Sequence, residues 1–242
     1  MRFTATAKYN LFPQASLHNQ WPGTGIMGDP VFDAYLASTV QSLPISNLAQ
    51  QTSMQVAGAA LLDRIGRPVI LLGHSQGTIF PPLIADLRPA LTRAMILVEP
   101  AGPPFQDTTF VSAPVPGRAY GLSDAPLTYE PKVTDPSKDI PKKIIPPASK
   151  NVTECMLQAD SPSPRRLVNL SKIPTAVVTG EASFHAQYDW CTIKFLLQAG
   201  VPADHLDLGA VGIRGNGHMM FLEKNSDEIA GSIQKWVQGL QK

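Results

Sequence analysis

Residues 68–77 read Pro68-Val-Ile-Leu-Leu-Gly-His-Ser-Gln-Gly77, and the architecture is argued outward from them. Val69 to Leu72 is a short, continuous apolar run that begins after a helix-stop signal, Gly66 and Pro68. A strand covered on both faces in a parallel sheet has that character. The run gives way at Gly73 to G-x-S-x-G with Ser75 at its centre. A sharp strand-to-helix turn crowds its own backbone, so Gly73 and Gly77 are expected to be needed for their missing Cβ, with the side chain at the tip projecting. The plainer reading is a βα turn in which Ser75 only caps the next helix.

The flanking pattern extends a sheet from this strand. A helix is expected from Ser46 or Asn47 to Ile65, packing through Leu48, Val56, Ala59, Ala60 and Leu62. A second helix should follow Ser75, kinked or restarted where Pro81 and Pro82 remove two N–H donors. Ala94 to Val98 (A-M-I-L-V) and Pro174 to Thr179 (P-T-A-V-V-T) read as further buried strands, and a shorter one is expected from His205 to Ile213. A helix carrying Tyr188, Ile193, Phe195, Leu196 and Leu197 should stop at Gly200. The last helix opens at Asn225, with Glu228 three residues on and one apolar face of Ile229, Ile233, Trp236, Val237 and Leu240. Alternating strands and helices imply an α/β fold with a doubly wound, mostly parallel sheet.

Two stretches interrupt that pattern. Residues 1–45, around Trp21-Pro-Gly-Thr-Gly, lack clean periodicity and read as an irregular N-terminal arm with a short helix near Phe32 to Val40. Eleven prolines fall between Pro100 and Pro147, which excludes long helices and central strands there. Residues 100–160 are therefore an excursion lying over one end of the sheet, inside a core of residues 46–242.

The totals narrow the function. With 242 residues, 43% of them apolar, the chain can hold one sizeable core. A formal charge of +1 with interspersed signs offers no footprint for nucleic acid and no polybasic membrane patch. No apolar window reaches membrane-spanning length and no signal peptide is read at Met1 to Gln14, so the expectation is a soluble protein, cytoplasmic or, if truncated, secreted. Cys155 and Cys191 read equally as one bridge or two buried thiols. Asn151-Val-Thr and Asn169-Leu-Ser are sequons if the chain is secreted.

A serine hydroxyl needs a base within hydrogen-bond reach and a third group that orients the base. Of five histidines, His218 sits in a Gly-rich loop between the last strand and the last helix, where a flexible turn could bring an imidazole over a neighbouring strand end. Three carboxylates contend for the third place. Glu99 follows the strand after Ser75, at the sheet edge where open α/β folds bind ligands. Glu181 and Asp189 follow the next strand.

G-H-S-Q-G after V-I-L-L, a carboxylate after a later strand and G-N-G-H before the final helix resemble the α/β-hydrolase superfamily over roughly residues 46–242. L-V-E-P-A-G-P-P-F (Leu97 to Phe105), G-E-A-S-F-H (Gly180 to His185) and G-N-G-H-M-M (Gly215 to Met220) resemble its 713-type bacterial and fungal esterases. The resemblance implies a Ser75–His218–Glu99 triad, with Asp189 and then Glu181 as alternative acids, and cleavage of a carboxylic ester through an acyl-enzyme. The backbone N–H of Gln76 would donate to the oxyanion. The Pro-rich excursion would act as a cap, and Phe105, Phe184, Tyr188 and Met219 would contact a small ester or lactone. No metal or cofactor is implied, and a homodimer is left open. Lactonase or related chemistry is one alternative; a hydrolase-like protein that binds without turnover is another. The fold resembled places several strands ahead of the Ser75 turn, which residues 1–45 do not supply. Those strands and the second oxyanion donor are expected from sequence preceding a truncated chain, from another chain, or from an unexpected loop.

Overall fold

The computed structural model describes residues 1–108, 111 and 114–240. Its helices are α1 (Thr6–Tyr9), α2 (Pro30–Ala37), α3 (Asn47–Ile65), α4 (Phe80–Leu87), α5 (Pro136–Asp139), α6 (Asp189–Gln198) and α7 (Ser226–Gly239). The strands are β1 (Val69–His74), β2 (Thr92–Val98), β3 (Gln106–Asp107), β4 (Val115–Pro116), β5 (Tyr129–Glu130), β6 (Lys142–Ile145), β7 (Cys155–Gln158), β8 (Arg166–Leu167), β9 (Thr175–Thr179) and β10 (Ala203–Asp207). The main sheet has the order β1-β2-β9-β10. No described helix is long and apolar enough to cross a membrane. The chain divides into two compact units, one of residues 45–177 and 188–205, the other of residues 1–44, 178–187 and 206–242.

In the first unit β1 and β2 run parallel, in a register that ends with His74 opposite Val98. α3 starts at Ser46, whose hydroxyl accepts the Ala49 N–H at 3.2 Å, and ends at Gly66. Its buried residues are Gln51, Ala59 and Leu62, whereas Leu48, Val56 and Ala60, expected to pack, are exposed, the first two at 50% and 61%. Small residues fix the choice of face: a Cβ added at Gly58 would lie 2.3 Å from Ile84 Cδ1 of α4, so the Gly58–Ala59 side comes closest to that helix. Gln51 is buried on the same side. Its Oε1 accepts the N–H groups of Asp124 and Ala125 at 2.8 and 2.9 Å, which offsets the cost of burying an amide. α4 restarts after a 3₁₀ turn over Ser75–Ile79, with proline in its first turn, where a missing N–H costs no helical bond.

The Pro-rich stretch and the residues just after it carry three small antiparallel pairs, β3 with β4, β5 with β8 and β6 with β7. Phe105, Leu122, Leu127, Tyr129 and Ile140 from it join Leu83, Met95, Leu97 and Phe195 in one core. Cys155 of β7 and Cys191 of α6 form a disulfide across 36 residues. A loop of that length is stabilised by about 4 kcal/mol in the chain-entropy account. Free thiols, the other reading of this pair, are thereby excluded.

In the second unit the Trp21-Pro-Gly-Thr-Gly stretch closes around Asp29, which also caps α2. The Asp29 carboxylate accepts from the Gly25 N–H at 2.7 Å, Trp21 Nε1–H at 3.1 Å and the Val31 N–H at 3.0 Å. The Gly25 bond is the chief reason its carboxyl is held below the usual range. α7 turns Ile229 inward, with Ile233, Trp236, Val237 and Leu240 half-buried on the same stripe. Asn225 does not cap it with its side chain, which pairs instead with Asn216. The strand expected over His205 to Ile213 is β10, which starts earlier and ends at Asp207, before a turn through Gly209 to Gly212.

Candidate active site

Ser75 leaves β1 with φ +54°, in the left-handed region. A backbone so placed costs on the order of 1–3 kcal/mol and has to be held from outside. Two contacts of the turn are visible. A Cβ at Gly73 would lie 2.6 Å from the Gly77 carbonyl oxygen, so only glycine allows the chain to fold back this closely. The hydroxyl of buried Thr78 donates to the Ser75 carbonyl at 2.5 Å and accepts the Ala101 N–H at 2.9 Å, joining the turn to the loop after β2. Gly77, expected to be needed for the same reason as Gly73, faces open space. The crowding is one-sided because Gly77 contributes its carbonyl to the contact, not its Cα.

Glu99 leaves β2 one residue after Val98, as Ser75 leaves β1 one residue after His74. It too is left-handed, with φ +51°, and it is fully buried. Two neighbouring parallel strands thus end, at the same rung, in a non-glycine residue of positive φ. Strain of this kind clusters where side chains are aimed for function. Asp189, at the start of α6, is fully buried, and Phe105 and Tyr188 are buried in the same unit. Gln76 is exposed, and its side chain reaches Gln50 at 3.2 Å.

The second unit holds His218, which is 3% exposed and sits in a stack of rings. The His185 ring lies parallel to it at 4.9 Å with an interplanar angle of 3°, Phe3 stacks at 5.0 Å, and Phe184 is tilted at 4.9 Å. The loop before it is held by several hydrogen bonds. Buried Glu223 accepts the Gly217 N–H at 3.0 and 3.1 Å and the Asn216 side-chain N–H at 2.8 Å, and it pairs with His18 Nε2 at 2.7 Å. At Gly215, with φ +77°, a Cβ would lie 2.1 Å from Asn19 Oδ1. Glu181 accepts the Gly215 N–H at 2.9 Å and pairs with Arg214. Met219 and Phe184 are buried in this unit.

Of the residues singled out from sequence, Ser75, Gln76, Glu99, Phe105, Tyr188 and Asp189 thus belong to one unit, and His218, Glu181, Phe184 and Met219 to the other. Thr78, His18, Glu223 and the His185 stack were missed. Only Thr78, three residues after the serine and free to bond back to its carbonyl, left a local sign. Glu223 meets a histidine 205 positions away.

Residues 20–232 match the model of the alpha/beta hydrolase family. A probable secreted lipase, phiG, of Fungal sp. (strain ATCC 74256) is 46% identical over 238 residues, which is 98% of this chain and 63% of the lipase. The chain therefore spans under two thirds of the length of that relative. A solved structure of a novel bacterial esterase aligns with 76% of this chain and 42% of its own, at 20% identity and a TM-score of 0.43.

Proposed function

Because the chain belongs to the alpha/beta hydrolase family, we propose that it hydrolyses carboxylic esters with Ser75 as nucleophile, His218 as base and Glu99 as the acid that orients it. Ser75 Oγ attacks the ester carbonyl while His218 takes its proton. The proton passes to the leaving alcohol, and an acyl-enzyme remains on Ser75. Water, deprotonated by His218, then attacks the acyl carbonyl and releases the acid. The backbone N–H of Gln76 donates to the oxyanion in both steps.

The observation that carries this reading is the paired left-handed backbone at Ser75 and Glu99, where adjacent strands end together. A serine that merely capped a helix would need no such strain. The engagement of Glu181 with Arg214 and the Gly215 amide favours Glu99 over it, and the relative's name, a probable lipase, supports an ester as substrate. A fluorophosphonate probe should add one adduct to the folded protein, at Ser75, and Ser75→Ala should abolish both the adduct and the turnover of p-nitrophenyl esters. Folded protein that takes no label would overturn the proposal and leave a non-catalytic binding protein. Faster turnover of lactones than of p-nitrophenyl esters would redirect it to lactonase chemistry.

The compartment we propose is an oxidising one. The disulfide between Cys155 and Cys191 supports it, as does the secreted character of the relative.

A further inference from the structure

The first unit contains a cavity of about 640 Å³ beneath the β3–β4 hairpin, of a size that holds small molecules. Neither Ser75 nor Glu99 lines it. Phe105, Val115, Pro116 and Met156 give it apolar walls, and Arg118 and Gln106 are its buried polar residues.

Arg118 is the anomaly. It is 8% exposed, its backbone is left-handed at φ +47°, and its guanidinium carries a permanent charge. Among the described residues it makes one hydrogen bond, from Nη2 to the Pro103 carbonyl at 2.6 Å, and no carboxylate forms an ion pair with it. Among the described residues its buried Nε–H has no partner, and neither has Oε1 of Gln106, which is 5% exposed. Burial pulls the guanidinium down from its ordinary value, and Asp107, Asp124 and Tyr188 offset this only through space. The carboxylate of Asp124, which lines the same cavity, is engaged by the Gln51 amide at 2.9 Å. Lys142, its Nζ 5.2 Å over the Phe105 ring, adds a second positive charge to the lining.

A buried charge is normally paired and hydrogen-bonded. A phosphate or sulfate would pair with Arg118 but turn its other oxygens toward Phe105, Val115 and Met156. A neutral apolar molecule would fill the walls and leave the charge of Arg118 without an ion pair. We infer that the cavity binds a small monocarboxylate with an apolar body, its carboxylate paired with the guanidinium of Arg118 and its body against Phe105, Val115, Pro116 and Met156. Such a carboxylate has two sources: the acid released by ester hydrolysis, or free acid from solution. The inference does not depend on Ser75.

The test titrates 4-phenylbutyrate, beside its neutral analogue 4-phenylbutan-1-ol, into the Ser75→Ala chain by calorimetry, where no turnover intrudes. The acid should bind saturably, and the alcohol about tenfold or more weaker, since it brings no charge to the guanidinium. Arg118→Gln should weaken the acid by a similar factor. Because loss of that buried side chain can unfold the unit, Val115→Trp provides the second variant, filling the cavity from its half-exposed hairpin and removing binding while the circular dichroism spectrum is kept. No saturable binding, equal affinity for the alcohol, or unchanged binding in Val115→Trp would overturn the proposal and leave the ester reading untouched. With Ser75 intact, inhibition of ester turnover by the acid that Val115→Trp relieves identifies the released product as the source. Binding without inhibition identifies free acid.

Discussion

β1 and β2 are neighbours in one parallel register, and each is a continuous apolar run, V-I-L-L in one and A-M-I-L-V in the other. Their surroundings differ sharply. All five residues of the β2 run are buried, while in β1 Val69, Ile70 and Leu71 are half-buried and Leu72 is 58% exposed. β2 lies between β1 and β9; β1 has a partner on one side only among the described residues. A run without polar residues encodes a strand fit for burial on both faces, but the burial itself comes from what is stacked and paired around it. The outer surface of α3, with Leu48, Val56 and Leu61 exposed, continues the same apolar character in the same unit.

Hydrogen exchange should separate the two strands most. The amides of β2 should exchange only on global opening, and alternate amides of β1, which do not face β2, about a thousandfold faster. Uniform protection across both strands would mean that the β1 edge is covered in solution. Side-chain truncation sharpens the contrast next. Leu97→Ala should cost about 3 kcal/mol in denaturant unfolding, as core truncations do, and Leu72→Ala under about 1 kcal/mol. Equal costs would break the comparison. The smallest contrast lies at the end of β1 itself. Gly73→Ala, which forces a Cβ against the Gly77 carbonyl, should cost about 2 kcal/mol, and Gly77→Ala, facing open space, should stay within about 1 kcal/mol.

Much of this was legible where the controlling residues lie close in sequence. The strand–turn–helix over Val69 to Leu87 follows from an apolar run, a close-approach glycine and two prolines that kink or restart a helix. The α7 stripe and the stop at Gly66 followed on the same basis. α3 was placed along the chain, and Ala59 and Leu62 pack as expected, but Leu48, Val56 and Ala60, counted as packing residues on their apolarity, are exposed. The helix instead turned its smallest side chains toward Ile84 and buried Gln51, whose partners lie more than seventy residues away. The histidine loop was located by its glycines, yet the carboxylate that bonds its amides is that of Glu223, itself paired with His18, and no spacing linked either to it.

By itself, then, the sequence determined the order and kind of the main-sheet strands and of the longer helices around them, and the positions of the glycine-flanked serine and histidine, because propensity, capping and close approach act over a few residues. Only the tertiary structure decided which face of α3 is buried, that Cys155 meets Cys191, that Glu99 ends its strand in register with Ser75, and that Arg118 is enclosed beside a cavity. Those outcomes depend on side chains from distant parts of the chain competing for the same space, a competition that no local pattern records.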